Sequence, residues 1–250
     1  MFTRYNGPHL PLLTRLARKA SGAIDDRVAR LAVGRYLRAA GVPDAPRIHS
    51  FTTREELTAL MYLAMQCPPG ANVLEIGSYV GASTCYLAAG LLPKGGKIFC
   101  VDTWQNETMP EGTRDTMRQF QENTRGVAGM LCPVRKRSDE LRAGDVGTPV
   151  ALAFIDGDHS YEAAAKDFAT ISPWMSDKGI CAFHDSRCYE GVSRLVGEVL
   201  ATGEWQIAGN VDNLVWLRRA VWEHRCAAPP SRPERMVANG ALASRGPAEA

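Results

Sequence analysis

The chain of 250 residues predicts an α/β fold with a doubly wound, mainly parallel sheet of seven strands. Strand-like apolar runs alternate with helical patterns, which indicates a parallel sheet with helices on both faces. The runs are uniformly apolar, as expected for strands covered on both sides. Four runs carry or precede a carboxylate at the strand end where such sheets bind ligands; these are Glu75, Asp102, Asp156 and Asp185. The pattern therefore predicts a Rossmann-like sheet with one acidic edge.

An N-terminal helical extension is predicted over residues 1–52. Its helix is expected over 24–37 and should stop at Gly41-Val42-Pro43, which combines two helix-breaking residues. The apolar positions that carry this prediction are spaced close to the helical repeat; they are Ile24, Val28, Leu31 and Leu37.

A second helix is predicted to begin after Thr53. Thr53 and Glu56 have the spacing of a capping box, in which the Thr hydroxyl and the Glu carboxylate satisfy backbone N–H groups at the start of a helix. An apolar face follows, and Cys67-Pro68-Pro69-Gly70 should end the helix.

Strands and helices alternate beyond residue 70. Strands are expected at 71–77, 97–102, 131–138, 151–156 and 179–185, and helices at 82–92, 112–124, 160–171 and 189–203. The runs 205–209 and 213–219 predict a closing antiparallel hairpin around Asn210-Val211-Asp212. Residues 225–250 are rich in Ala, Pro, Gly, Arg and Ser and lack periodicity, which predicts a disordered tail.

Composition narrows the class of protein. The formal charge is +2, but residues 1–40 hold eight Arg and Lys against two Asp, which suits either a solvated helical face or an acidic partner or membrane surface. No apolar stretch approaches the ~20 residues of a membrane span. The seven cysteines are odd in number and form no CxxC pair, which predicts reduced thiols in a cytoplasmic protein. No basic surface with interleaved aromatics is apparent, which argues against nucleic acid.

A glycine turn links the first strand of the sheet to its helix. Gly77 and Gly81 are four residues apart, so the turn lacks both the G-x-G-x-x-G of dinucleotide sites and the P-loop pattern. A pyrophosphate favours a helix N-terminus without nearby negative charge, whereas Glu75 suits a positive or neutral ligand. Asp102, one strand later, can accept both hydroxyls of a ribose.

These elements resemble the class I S-adenosylmethionine-dependent methyltransferases. Within that superfamily they are similar to the small-molecule O-methyltransferase branch, which includes metal-dependent sugar and natural-product enzymes. The matching stretches are VLEIGSYVGAS at 73–83, VDTW at 101–104, FIDGDHSYE at 154–162 and FHDS at 183–186. The resemblance covers about residues 53–219 and implies a catalytic domain over 53–224.

The resemblance assigns the cofactor, S-adenosylmethionine, to one half of the sheet edge. It implies that Gly77, Ser78 and Gly81 contact the amino-acid end of the cofactor and that Glu75 lies near its ammonium and sulfonium. Asp102 would hold the ribose. Trp104 would cover the adenine or pack under a loop, and Ser138 would contact the adenine or cap the following helix.

The residues that follow the fourth and fifth predicted strands are expected to activate the molecule that accepts the methyl group. A sugar or aliphatic hydroxyl needs a base or a divalent cation to lose its proton at neutral pH. Asp156 and Asp185 are predicted ligands of Mg²⁺ or another divalent cation. In the metal-dependent enzymes that the sequence resembles, an acidic or amide pair follows the fifth strand, whereas FHDS supplies only Asp185, so Asp158 could replace the missing third ligand. Asp156 would thus serve catalysis through the ion. His159 is the predicted base, and His184 is the alternative base or a ligand.

The acceptor is expected to be a hydroxyl of a small molecule, a sugar or a polyketide-type natural product. The polar segment 103–113 and the N-terminal helices would form its pocket, with the segment as a lid. Two alternatives stay open, a nicotinamide-dependent oxidoreductase and a non-catalytic partner protein that kept the fold. A homo-oligomer is neither indicated nor excluded by the residues.

Overall fold

The computed structural model describes residues 31–106 and 111–220. The start of the first predicted helix and the predicted tail over 225–250 lie outside these residues. The described chain forms a seven-stranded sheet, and its strands are β1 (Asn72–Ile76), β2 (Lys97–Asp102), β3 (Leu131–Arg135), β4 (Val150–Ile155), β5 (Met175–Phe183), β6 (Trp205–Val211) and β7 (Leu214–Arg219).

The sheet has the order β3-β2-β1-β4-β5-β7-β6. Strands β1 to β5 are parallel, whereas β7 runs antiparallel to both β5 and β6. The predicted fold class is therefore confirmed, including the closing hairpin.

Helices cover both faces of the sheet. They are α1 (31–39), α2 (Arg54–Met65), α3 (Ala82–Leu91), α4 (Met117–Thr124), α5 (Tyr161–Ile171) and α6 (Glu190–Ala201). Residues of α1 to α4 form one apolar core with one side of the strands, and residues of α5 and α6 form a second core with the other side. This double cover explains why all six residues of β4 are buried.

Helix α3 lies between the sheet and α2, and all ten of its residues are buried. Gly90 permits this arrangement, because a Cβ there would overlap the carbonyl oxygen of Met61 on α2. The predicted capping box opens α2: the Thr53 hydroxyl accepts from the Glu56 N–H at 3.2 Å, and the Glu56 carboxylate accepts from the Thr53 N–H at 2.7 Å.

The order of the strands reverses between β1 and β4, which is where doubly wound sheets form a ligand crevice. Backbone hydrogen bonds continue the ladder beyond the strand ends, from Asp156 N–H to the Ile76 carbonyl at 2.8 Å and from His184 N–H to the Ile155 carbonyl at 3.1 Å. The residues that follow β1, β4 and β5 are thereby held side by side.

Several predicted boundaries differ from the structure; β3, for example, ends at Arg135 and not at 138. Helix α4 begins at Met117 and not at 112, because the segment before it turns back: Thr116 N–H donates to the Trp104 carbonyl, and Gly112 has a φ of +83°. Strand β5 begins four residues early, at Met175. Strand β6 extends to Val211, so the hairpin turns at Asp212 and Asn213.

The cysteines and the length of the helices bear on two expectations from the sequence, reduced thiols and no membrane span. The six cysteines among them are free, and four of these are buried. No helix in residues 31–106 or 111–220 has the length and apolar character needed to cross a membrane.

Candidate active site at the carboxyl edge of the sheet

A cavity of about 950 Å³ opens where β1, β2, β4 and β5 end. Most of the predicted site residues line it, and these are Gly77, Ser78, Asp102, Ser138, Asp156, Asp158, His159 and Asp185. Glu75, Gly81 and Trp104 are predicted site residues that do not line it. The acidic edge expected from the sequence therefore surrounds one cavity, with three residues placed behind its wall.

The glycine turn is shaped by contacts with neighbouring elements. Gly77 has a φ of +85°, and a Cβ there would overlap the carbonyl oxygen of Asp156. Gly81 has a φ of +90° and faces Thr124 and Phe120 at a distance that leaves no room for a Cβ. Gly77 thus keeps β1 close to β4 at the cavity, whereas Gly81 serves the packing of α3 on α4.

Glu75 lies inside β1 and is fully buried. Its Oε2 accepts hydrogen bonds from the hydroxyls of Ser78 at 2.7 Å and Thr84 at 2.5 Å, while Oε1 has no partner. Burial raises the pKa of this carboxyl to about 7, against the effect of the hydroxyl donors. Glu75 therefore lies behind the glycine turn, and its link to the cavity is the hydrogen bond from Ser78, which lines the cavity wall.

Asp102 lines the cavity with its carboxylate held in one orientation. Backbone N–H groups donate to it from Tyr79 at 2.8 Å and from Trp104 at 2.6 Å. Burial raises the pKa of Asp102, and these N–H groups oppose the rise. Because each carboxylate oxygen has two lone pairs, both can still accept a ligand hydroxyl.

Trp104 points away from the cavity. Its ring is fully buried at 5.0 Å from that of Phe120, and its indole N–H donates to the Tyr79 carbonyl at 2.9 Å. The backbone of Trp104 has a positive φ of +51°. Of the two roles considered from the sequence, packing under a loop matches this placement.

Ser138 opens a short 3₁₀ turn, Ser138–Glu140, at the cavity wall. The residue in the cap position of that turn is Arg137, so Ser138 is not its N-cap. Next to Ser138 is Asp167 of α5, a buried residue that also lines the cavity. Burial raises the pKa of Asp167 to about 6, although the Ser138 hydroxyl acts in the opposite direction. The sequence analysis missed Asp167, because it lies within an ordinary amphipathic helix.

The opposite half of the cavity holds a cluster of carboxylates and imidazoles, which we call the acid–imidazole cluster: Asp156, His159, His184 and Asp185. His184 Nδ1 lies 3.0 Å from Asp156 Oδ1 and 3.3 Å from Asp185 Oδ2. His159 Nε2 lies 2.9 Å from Asp185 Oδ2 and 3.9 Å from Asp156 Oδ1. The two carboxylates thus lie between two imidazoles.

His184 is buried and held from behind by Glu56. Glu56 Oε2 lies 3.0 Å from His184 Nε2, and its Oε1 accepts from the Asn213 N–H at 2.8 Å. Burial lowers the pKa of His184, but Asp156, Asp185 and Glu56 outweigh it and raise the pKa to about 12. The capping box identified Glu56 as a helix-start residue; its second contact, 128 residues away in sequence, was missed.

His159 lies at the open side of the cluster, with its ring stacked on that of Tyr189 at 4.2 Å between centroids. Asp156 and Asp185 raise its pKa to about 9. While both carboxylates pair with it, His159 therefore keeps its proton well above the ordinary histidine pKa of 6.5. The same contacts lower the pKa of Asp185 well below its usual range, even though burial acts in the opposite direction.

Asp158 does not join the cluster. It is exposed, and its Oδ1 accepts from the Ser160 N–H at 2.7 Å, at the start of α5. Asp185, in contrast, has a positive φ of +56°, and its Oδ1 accepts a hydrogen bond from the Cys188 thiol at 2.9 Å.

The cluster has the donors for a divalent cation. Asp156, His184 and Asp185 each offer one ligand atom, and these atoms all lie within 4.8 Å of one another. His184 Nδ1 is buried, near both carboxylates, and aligned for a hydrogen bond with neither. The third ligand-capable side chain beside the predicted pair is therefore His184, and not Asp158.

Comparisons with known proteins match the domain and the fold. Residues 74–186 match a family model described as a methyltransferase domain. The fold is similar to the O-methyltransferase NovP (15% identity over 69% of this chain and 82% of that one, TM-score 0.52). It is also similar to the methyltransferase PaMTH1 of Podospora anserina bound to S-adenosylhomocysteine, with 16% identity over 86% of this chain and 100% of that one and a TM-score of 0.54. A third similar structure is an S-adenosylmethionine-dependent O-methyltransferase of Thermotoga maritima, with 10% identity over 72% of this chain and 71% of that one and a TM-score of 0.54. At these identities the similar structures establish the fold.

The match over residues 74–186 and the sheet order support an S-adenosylmethionine-dependent methyltransferase with the Rossmann-like fold. These findings support S-adenosylmethionine as the cofactor and give no support to either of the two alternative classes.

Proposed function

We propose that the protein transfers the methyl group of S-adenosylmethionine to a hydroxyl of a small molecule, a sugar or another natural product, in the cytoplasm. The observation that carries this proposal is the acid–imidazole cluster, which lies in the same cavity as the glycine turn. A hydroxyl must lose its proton during transfer, and this cluster combines proton acceptors with cation ligands.

The cofactor would occupy the half of the cavity between the glycine turn and Ser138. Its amino-acid end would lie against Gly77 and Ser78, and its ribose hydroxyls would donate to Asp102, whose carboxylate is already oriented by two backbone N–H groups. Ser138 lines the wall beyond Asp102, where the adenine would lie. The sulfonium methyl would then face Asp156 at the end of β4.

The reaction is an in-line displacement at the methyl carbon. The acceptor oxygen forms the new C–O bond while the C–S bond breaks, the sulfonium becomes a neutral thioether, and the hydroxyl proton passes to a base. Alignment of the two reactants contributes to the rate because the step becomes effectively unimolecular.

His159 is the base that we propose. Its Nε2 lies 2.9 Å from Asp185, and its side chain is about one third exposed, so it borders the open part of the cavity. With a pKa of about 9 it holds its proton at neutral pH. A divalent cation bound to Asp156 and Asp185 would lower the pKa of the acceptor hydroxyl and would offset the negative charge beside His159. The base form of His159 would then be available near neutral pH.

The acceptor would enter next to the cluster. Segment 49–52 and Tyr189 line this part of the cavity, and Phe51 and Tyr189 are 54% and 47% exposed. Glu111 connects the segment to the glycine turn through His49 and Tyr79, each at 3.2 Å. A volume of about 950 Å³ lies near the upper end of the range for small-molecule sites, which is roughly 300–1,000 Å³. This is consistent with a cofactor and a modest acceptor together.

The test is a transfer assay with S-adenosylmethionine carrying a deuterated methyl group. The protein is incubated with divalent cations and a panel of sugars, nucleotide sugars and polyphenols, and products are analysed by mass spectrometry. We expect a deuterated methyl ether on one class of hydroxyl compound. Products methylated only on nitrogen or carbon would contradict the proposal.

A further inference from the structure

The third ligand-capable side chain of the cluster is an imidazole, and its free nitrogen has no hydrogen-bond partner. His184 is 3% exposed, and its Nδ1 is a buried polar atom without an aligned partner. Asp156 Oδ1 and Asp185 Oδ2 are nevertheless only 3.0 and 3.3 Å from it. A nitrogen that is close to two carboxylates but aligned with neither is suited to share a cation with them.

Glu56 determines which nitrogen of His184 carries the proton. Its carboxylate also accepts from the N–H groups of Thr53 at 2.7 Å and Asn213 at 2.8 Å, which favours the charged form. A carboxylate only accepts hydrogen bonds, so His184 Nε2, 3.0 Å away, must be the donor. Binding of a cation would displace the proton that the two carboxylates otherwise keep on Nδ1, and the neutral imidazole would then have its lone pair on Nδ1, toward Asp156 and Asp185.

Carboxylate–histidine pairs of this kind orient imidazoles that bind metals, and loss of the outer carboxylate typically lowers metal affinity ~10–100-fold. The arrangement is built from elements far apart in the chain, since Glu56 opens α2 and His184 follows β5. Glu56 is 0% exposed, so the pair is not a surface contact.

A nitrogen ligand from His184 would affect which divalent ion the site binds. Mg²⁺ favours oxygen ligands and retains several waters, whereas imidazole nitrogen suits first-row transition metals. We propose that His184 is a nitrogen ligand, positioned by Glu56, and that it makes the site select Mn²⁺, Fe²⁺, Co²⁺ or Zn²⁺ over Mg²⁺. The sequence favoured Mg²⁺ and allowed another divalent cation, and this proposal selects the second alternative. It rests on the cation site of the proposed function and adds the nature of the ion.

The first experiment measures ion binding directly, without an acceptor. The metal-free protein is titrated with Co²⁺ and with Mg²⁺ by calorimetry, and visible absorption of the Co²⁺ complex is recorded. We expect Co²⁺ to bind at least ~100-fold more tightly than Mg²⁺. In His184→Asn, which offers an amide oxygen, the ratio of the two affinities should fall at least ~10-fold. Glu56→Gln should lower Co²⁺ affinity ~10–100-fold. His49→Asn is the matched control, since that histidine also lines the cavity but contacts Glu111; it should leave both affinities unchanged.

The second experiment requires no variant to fold. Pulsed electron paramagnetic resonance of the Mn²⁺ complex of the unaltered protein should show coupling to a directly bound imidazole nitrogen. A Mn²⁺ complex without this coupling, or an unchanged Co²⁺ to Mg²⁺ ratio in folded His184→Asn, would overturn the inference while leaving methyl transfer standing. Failure to bind any divalent ion would overturn it too, together with the cation part of the proposed function. The transfer assay tests O-methylation separately.

Discussion

Replacement of the buried Glu75 by Gln should change how the stability of the protein depends on pH. The pKa of this carboxyl is raised from 4.5 in the unfolded chain to about 7 in the folded one, chiefly by burial. Between these values the folded protein keeps a proton that the unfolded chain releases, so stability falls as pH rises from about 4.5 to 7. Each pH unit corresponds to about 1.4 kcal/mol, which gives a total loss of the order of 3 kcal/mol.

Glu75→Gln removes this loss because the amide does not titrate, while its oxygen can still accept from Ser78 and Thr84. The free energy of unfolding, measured by urea denaturation, should be similar for the two proteins at pH 4.5. At pH 8 the variant should be more stable by up to about 3 kcal/mol. Differences between the two proteins at each pH cancel the contributions of other groups, such as Asp167, provided that these titrate independently.

Glu204→Gln, at an exposed turn before β6, is the control for loss of one surface carboxylate. A difference between Glu75→Gln and the unaltered protein that is constant from pH 4.5 to 8 would refute the reasoning. It would mean that Glu75 remains charged in the folded state, with an unidentified donor at Oε1.

Three further predictions concern the cavity. Asp102→Ala should weaken S-adenosylhomocysteine binding by roughly 1.5–3 kcal/mol in calorimetry, since charge-assisted bonds to the ribose are lost; unchanged affinity would remove Asp102 from the cofactor site. His159→Ala should reduce methyl transfer ~10²–10⁴-fold with nearly unchanged cofactor affinity, and the increase in rate with pH through the pKa of His159 should disappear; if that increase persists in the variant, the base lies elsewhere. Gly77→Ala should abolish cofactor binding and lower the melting temperature, because its Cβ would overlap the Asp156 carbonyl and its φ is +85°; a variant with normal binding and melting would contradict the role of the close approach of β1 to β4.

The sequence was sufficient to predict the fold, because the signals involved are local. Uniformly apolar runs such as 151–155 indicate strands covered on both faces, and the capping box at Thr53 marks the start of α2. Parallel strands end at one edge, so Asp102, Asp156 and Asp185 could be placed around one cavity before any contact was known. Boundaries failed where distant backbone decided them, as at α4, whose start depends on the bond from Thr116 to Trp104.

Only the tertiary structure shows how the site residues at the carboxyl edge of the sheet contact one another and which of them hold a proton. Glu56 and His184 are 128 positions apart, and no local pattern indicates that a capping residue also holds an imidazole behind two carboxylates. Protonation likewise depends on neighbours: Asp156 and Asp185 raise the pKa of His159 to about 9, and burial raises that of Glu75 to about 7. Sequence patterns specify which groups reach an edge, because strand and helix periods are local. Distances, burial and charge between those groups arise only when separate elements pack together, and they determine which group holds a proton and which can bind a metal ion.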